Sequence, residues 1–138
     1  MIRAVLDTNI IVSGLGWGGA PGQVLEAART GRFITVTSPA LLAELTSVLA
    51  YPKLRDALTK AEAFLDRYRR TAHIAFPEHR SEALADEDDN RLVEAAEAAT
   101  AGFIVTGDQL VLDADPIGDI RVVTAREFLA LLEQLDRT

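Results

Sequence analysis

Short aliphatic runs separated by helical patterns are the feature that most constrains the fold of this chain. The first run, residues 2–6, is mostly branched and aliphatic, which is typical of a strand buried in a parallel sheet. Comparable runs lie at residues 33–37, 103–106 and 120–123, and a shorter one lies at 73–76. Because helical patterns lie between the runs, we expect an α/β protein, a three-layer α/β/α sandwich with a central, mostly parallel sheet.

Turn and capping residues locate the helices. Pro21 indicates a helix that runs to about Arg29 and stops at Gly31. Ser38-Pro39 indicates a second helix, because Ser caps and Pro suits the first helical position, and this helix ends before Pro52. We expect a flexible loop around Trp17 at Gly14, Gly16, Gly18 and Gly19.

The second half of the chain carries two capping-box spacings. Thr59 with Glu62 predicts the start of a longer helix, after a short helix near 53–58. Thr124 with Glu127 predicts the start of the last helix. Between them, the polar stretch 81–88 indicates a loop, and the apolar residues that mark the next helix are Leu92, Val93, Ala96 and Ala99.

Composition limits the class of protein. A chain of 138 residues is expected to form one domain over residues 1–138. It has no cysteine, which excludes disulfides, thiolate metal sites and a cysteine nucleophile. Arg3 interrupts the first apolar run and no run is long enough to span a membrane, so we expect a cytoplasmic protein without a signal peptide. A net charge of −7 argues against coating nucleic acid, but a cluster of acids that recruits cations contributes to such a charge.

Four acids occupy positions that sheet topology could bring together. Asp7 and Asp108 each follow an aliphatic strand and open a loop, where open α/β sheets place their ligands. Glu44 lies in the second turn of a helix beside its apolar stripe, and Asp89 lies at the start of another helix. Each acid also has an ordinary reading: a turn or helix cap for Asp7, Asp89 and Asp108, and a solvated helix residue for Glu44.

Electrostatic repulsion among the four carboxylates determines whether such a group needs bound cations. Two carboxylates about 4 Å apart repel by roughly 4 kcal/mol at an effective dielectric constant near 20. Four of them would be unstable or partly protonated without cations. Only oxygen ligands are offered, which favours Mg²⁺ or Mn²⁺ over zinc.

Five stretches of the chain stand in a distinctive order and spacing. They are Val5-Leu6-Asp7-Thr8-Asn9, Glu44-Leu45 leading to Tyr51-Pro52-Lys53, Asp86-Glu87-Asp88-Asp89-Asn90 with Leu92 and Ala96, Val105-Thr106-Gly107-Asp108, and Ile120-Arg121-Val122-Val123-Thr124 with Glu127-Phe128-Leu129. These stretches resemble those of the PIN-domain family, the fold of VapC-like toxin ribonucleases, and most closely the branch of putative toxin components of toxin–antitoxin systems. The resemblance spans essentially the whole chain.

The resemblance implies a Mg²⁺- or Mn²⁺-dependent endoribonuclease that hydrolyses RNA phosphodiester bonds. Its metal-binding and catalytic acids would be Asp7, Glu44, Asp89 and Asp108, supported by the polar side chains Asn9 and Thr106. Some members carry a further acid where this chain has Leu110, which puts a fifth ligand in doubt. Asp86 and Asp88 are alternatives to Asp89 as the third ligand. The resemblance also implies a small antitoxin partner and a homodimer.

Other groups have weaker indications. Arginines could contact RNA, and the candidates are Arg29, Arg32, Arg67, Arg69 and Arg70, although a solvated helix face is the better explanation of each one taken alone. Trp17 could stack on a base or cover the core. Neither His73 nor His79 lies near a site acid in sequence, so neither receives a catalytic role.

Two alternative functions remain open. The chain could be a catalytically weak PIN-like module that binds RNA or protein, or another Mg²⁺-dependent phosphohydrolase. A haloacid-dehalogenase-like enzyme would need an aspartate where Asn9 stands, and a receiver domain would need a late lysine, whereas no lysine follows Lys60.

Overall fold

The computed structural model describes residues 1–55 and 59–137, and its elements alternate between strands and helices. In chain order they are β1 (Arg3–Leu6), α1 (Thr8–Trp17), α2 (Gly19–Arg29), β2 (Ile34–Thr37), α3 (Pro39–Leu49), α4 (Pro52–Arg55), α5 (Ala61–Thr71), β3 (His73–Ile74), α6 (Asn90–Ala98), β4 (Phe103–Val105), α7 (Gln109–Leu112), β5 (Arg121–Val123) and α8 (Ala125–Asp136).

The five strands form one parallel sheet in the order β3-β2-β1-β4-β5. The chain leaves β1 in one direction towards β2 and later returns on the other side as β4. The topological switch point therefore lies between β1 and β4, at the carboxyl ends of the strands. The register pairs Leu6 with Val105, so Asp7 and Thr106 leave the sheet side by side.

Both faces of the sheet are covered, as the aliphatic runs predicted. Alternate residues of each strand point to opposite faces, so Leu6 and Val105 belong to one core, which also contains Phe128 of α8. Val5 and Ile104 belong to the other core, which α6 covers. The expected α/β/α sandwich is confirmed. No helix in the described part of the chain is long and apolar enough to cross a membrane.

The predicted glycine-rich loop around Trp17 is wrong. Residues 8–17 form α1, and Gly14 and Gly16 lie inside this helix. A Cβ atom built on Gly14 would lie 2.7 Å from Leu25 Cδ1 and 3.0 Å from the Pro21 carbonyl oxygen. Gly14 therefore allows α1 and α2 to approach closely, and this packing outweighs the low helix propensity of glycine. The turn between the helices is confined to Gly18 and Gly19, which have positive φ angles.

The two predicted capping boxes had different outcomes. Thr124 and Glu127 form one at the start of α8, with hydrogen bonds in both directions. Thr59 does not cap α5, because this helix begins at Ala61 with Lys60 at the N-cap position and no capping hydrogen bond from a side chain. Of the short helix predicted near 53–58, the structure has α4 at Pro52–Arg55, and residues 56–58 lie outside the described residues.

Candidate active site

Asp7 stands at the switch point of the sheet and is held there by two side chains. The Thr106 hydroxyl donates to Asp7 Oδ2 at 2.7 Å, and Asn9 Nδ2 donates to the same oxygen at 3.2 Å. Asp7 is half-buried, and its carboxylate does not cap α1 by a hydrogen bond. The ordinary reading of Asp7 as a helix cap therefore does not describe its contacts.

Thr106 links two of the acids. It is fully buried, donates to Asp7, and accepts a hydrogen bond from the Asp108 backbone N–H at 3.0 Å. Asn9 makes a second link across the same edge, because its Oδ1 accepts from the Gly107 backbone N–H at 3.3 Å. Both side chains therefore fix the loop after β4 against the end of β1.

Asp108 has two roles in the structure. It is the N-cap of α7, where its Oδ1 accepts from the Leu110 backbone N–H at 3.0 Å. It is also close enough to Asp7 for its charge to raise the pKa of that residue. The N-cap role of Asp108 therefore does not remove this residue from the acidic edge. Leu110, which stands where some relatives carry an acid, is 75% exposed.

Glu44 reaches this edge from α3. The Thr8 hydroxyl donates to Glu44 Oε2 at 3.0 Å, which joins α3 to the first turn of α1. Sequence reasoning missed Thr8. The available signal was its position directly after Asp7, which places a buried hydroxyl at the same edge.

Asp89 completes the group from the start of α6. It occupies the N-cap position with helical backbone angles, and its side chain makes no capping hydrogen bond. The neighbouring Asp86 instead organises the loop, because its Oδ1 accepts from the backbone N–H groups of Asp88 at 2.8 Å and Asp89 at 3.3 Å. One carboxylate oxygen of Asp86 is therefore occupied by hydrogen bonds within the loop.

The acids influence one another electrostatically. Burial raises the pKa of Asp7 above its ordinary value, against the opposing hydrogen bond from Thr106. Desolvation also raises the pKa of Glu44, with further contributions from the charges of Asp7, Asp88 and Asp86.

The largest resolved change among these acids is at Asp89. Desolvation and then the negative charges of Asp86, Asp108, Asp7 and Glu44 raise its pKa to about 6. Because all four charges act on one carboxylate, the acids of four chain segments share one region of negative potential.

The four acids offer the donor atoms that a divalent cation prefers, but their side chains do not stand close enough together to surround one. The donors are carboxylate oxygens, which suit Mg²⁺ and Mn²⁺, and a cation would relieve the repulsion that raises these pKa values. Within residues 1–55 and 59–137, however, no three histidine, aspartate or glutamate side chains stand close enough together to hold a metal ion. The acids form a loose group whose side chains would need to converge.

Four of the five arginines proposed to contact RNA have a hydrogen-bonded or ion-paired side-chain partner in the described residues. Arg29 pairs with Glu26, Arg32 with Asp136 and Arg70 with Asp66, while Arg69 donates to Thr46. Trp17 is 71% exposed at the end of α1, so it does not cover the core.

A groove separate from the acidic edge lies along α1, α2 and α5. Its volume is about 850 Å³ and its lining is mostly apolar, with Leu15, Leu25 and Phe64 among the lining residues. Arg29, Lys60 and Arg67 border it together with the acid Glu26, which pairs with Arg29. None of the four proposed site acids lines this groove in the described part of the chain.

The strand order defines an open α/β sheet with a topological switch point, and the acidic edge lies at that point. Open α/β proteins as a class bind their ligands there. A family model described as the PIN domain matches residues 3–110, and the chain belongs to this family. PIN domains are generally nucleases. The resemblance found in the sequence is confirmed at this level.

Individual relatives agree with this assignment. The chain is 31% identical over 112 residues to an uncharacterized protein of Methanocaldococcus jannaschii, MJ1680, covering 78% of this chain and 72% of that protein. Its fold is similar to PAE2754 from Pyrobaculum aerophilum, with a TM-score of 0.66 and 12% identity, covering 97% of this chain and 90% of the other. It is also similar to a chain of VapBC2 from Rickettsia felis, bound to a fragment of its promoter DNA, with a TM-score of 0.58 and 18% identity, covering 89% and 98%.

Proposed function

We propose that residues 1–138 form one domain that acts as a Mg²⁺- or Mn²⁺-dependent endoribonuclease, the toxin of a toxin–antitoxin pair. The observation that carries the proposal is that the charges of Asp7, Glu44 and Asp108 all act on Asp89 in a chain of the PIN-domain family. In this proposal the four acids bind the cation. The reaction takes place in the cytoplasm on cellular RNA.

The proposed reaction is hydrolysis of a phosphodiester bond. A water oxygen bonds to phosphorus as the bond from phosphorus to the 3′ oxygen breaks, leaving a 3′-hydroxyl and a 5′-phosphate. When bound, the divalent ion supplies a Lewis acid that lowers the pKa of water and offsets the phosphate charge. No side chain of the protein acts as the nucleophile.

The protein's contribution is to orient its acids before substrate arrives. Thr106 and Asn9 fix one oxygen of Asp7, and Thr8 fixes one oxygen of Glu44. Hydrogen bonds of this kind hold metal-binding side chains in position, and their loss costs roughly 10–100-fold in affinity or activity. The raised pKa of Asp89 means that cation binding also requires this carboxyl to lose its proton at mildly acidic pH.

The decisive experiment compares Asp7→Asn with the wild type on a mixed RNA pool in Mn²⁺. We expect the wild type to cleave RNA and leave 3′-hydroxyl and 5′-phosphate ends. The cleavage activity of Asp7→Asn should be at least 100-fold lower. The matched control is Asp119→Asn, an exposed acid at the amino end of β5. Equal activity of Asp7→Asn and wild type refutes the mechanism, and an inactive wild type that still binds RNA favours the catalytically weak module.

The partner part of the proposal rests on the apolar groove along α1, α2 and α5. An apolar groove with Lys60 and Arg67 at its border suits an amphipathic helix that carries acidic residues, and one chain of VapBC2 has a fold similar to this one. We expect Lys60→Glu to weaken binding of a purified antitoxin encoded beside this chain while leaving RNA cleavage intact, because Lys60 is an exposed residue at the border of the groove. Light scattering of the purified chain tests the proposed homodimer.

A further inference from the structure

Two buried polar side chains of α6 contact the acidic loop that precedes it. Asn90 is 4% exposed and Glu94 is 6% exposed, although both can form several hydrogen bonds. Burying such groups costs free energy unless they find partners. Their partners therefore indicate what these two residues do.

Asn90 closes the loop that carries the acids. Its Oδ1 accepts from the Leu84 backbone N–H at 2.8 Å, and its Nδ2 donates to the Leu84 carbonyl oxygen at 2.9 Å. One amide thus satisfies both backbone groups of a residue six positions earlier. Leu84 also packs against the apolar core beneath α6, so this end of the loop is fixed to the body of the protein.

Glu94 fixes the beginning of the same loop. Its Oε2 accepts from the Ser81 backbone N–H at 2.9 Å and pairs with Arg91 Nη2 at 3.1 Å. Arg91 offsets the charge of the buried carboxylate, which would otherwise be costly. Ser81 in turn accepts from the Ala83 backbone N–H at 3.1 Å through its hydroxyl.

We propose that Asn90 and Glu94 are positioning residues that hold residues 81–89 so that Asp89 faces Asp7 and Glu44. The inference rests on the proposed function, because it assigns these residues to the placement of the third acid. Neither residue touches the reacting atoms in this proposal. Asp86 extends the same arrangement, since its bonds to the backbone of Asp88 and Asp89 set the turn between the two anchors and the acid.

The test compares Asn90→Ala and Glu94→Ala with two controls. Glu94→Gln retains an oxygen acceptor for the Ser81 N–H. Val93→Ala removes buried apolar volume from the same helix and leaves the hydrogen-bonding side chains of Asn90 and Glu94 unchanged. Hydrogen exchange at the amides of residues 84–89 and binding of Mn²⁺ alone, followed by electron paramagnetic resonance, are measured for each protein.

We expect loop exchange at least 10-fold faster and Mn²⁺ binding roughly 10–100-fold weaker in both alanine variants. Glu94→Gln should stay within about 3-fold of wild type in Mn²⁺ affinity. Val93→Ala should lower the melting temperature while leaving loop exchange and Mn²⁺ affinity near wild type. In the cleavage assay, kcat should fall and the KM for RNA should change little in the alanine variants.

Unchanged loop exchange in Asn90→Ala and Glu94→Ala, or equal acceleration in Val93→Ala, overturns this inference. A wild type that neither binds Mn²⁺ nor cleaves RNA instead overturns the proposed function. In that case the exchange measurement still decides whether the two side chains hold the loop, so the two failures are distinguishable.

Discussion

Replacing Asp89 by asparagine should stabilise the protein when no divalent cation is present. Desolvation and four neighbouring acids raise the pKa of Asp89 to about 6, so its ionised form is disfavoured in the folded state. Asparagine keeps the shape and removes the charge. The substitution therefore relieves repulsion at the acidic edge without opening a cavity.

The magnitude follows from the pKa. A rise from the ordinary value of 3.8 to about 6 corresponds to roughly 3 kcal/mol as an upper limit. Because Asp89 is only partly buried, solvent screening reduces this to about 1 kcal/mol. For a chain of this length such a change raises the melting temperature by roughly 3–5 °C.

The stability difference between Asp89→Asn and the wild type should depend on pH, and the pKa shift determines its direction. At about pH 3 and below, Asp89 is mostly protonated in both states, and the variant should match the wild type. Between pH 4 and 6 the unfolded wild type loses this proton while the folded state retains it, so wild-type stability falls relative to the variant. Above pH 6 the difference should be constant.

Urea denaturation in EDTA at pH 3, 4, 5, 6 and 7.5 measures the effect, with Asp119→Asn as the control for loss of one negative charge. A variant that is equally or less stable than wild type at pH 7.5 refutes the reasoning. A stability difference that persists undiminished at pH 3 refutes it as well.

Three further predictions follow from the same contacts. Mg²⁺ or Mn²⁺ should raise the melting temperature and EDTA should reverse the effect; a flat titration contradicts the proposed site. Thr106→Val should destabilise the protein by about 1–2 kcal/mol and lower kcat about 10-fold, since it frees Asp7, and unaltered kcat would contradict that positioning. Gly14→Ala should cost about 1–3 kcal/mol in urea denaturation by forcing a clash with Leu25, whereas Gly102→Ala, with open space around its Cβ, should cost less.

The sandwich was predictable because its strands are aliphatic on both faces. Val5 and Leu6 are adjacent yet enter different cores, and only a strand covered on both sides needs this pattern. The positions of Asp7 and Asp108 followed from the same pattern, because acids after buried parallel strands must lie at one edge.

The parts that sequence reasoning missed depend on contacts between distant segments. Gly14 indicated a flexible loop, whereas in the structure its missing side chain allows Leu25 of α2 to pack closely against α1. No local sequence pattern reveals this contact. Thr8, Asn90 and Glu94 were missed for a related reason. Each is a polar residue in or beside a helix, and only tertiary structure shows that it is buried and bonded to another part of the acidic edge.

The central position of β1 has a consequence for protein synthesis. β1 precedes the other four strands of the sheet in chain order, yet it is the middle strand and pairs on one side with β4. The hydrogen bond from Thr106 to Asp7 joins residues 99 positions apart. A nascent chain that ends after α6 already carries Asp7, Glu44 and Asp89, but it lacks Thr106 and Asp108. The acidic edge is therefore assembled only after residues 106–108 have been made, and the proposed cleavage requires a chain that extends past β4.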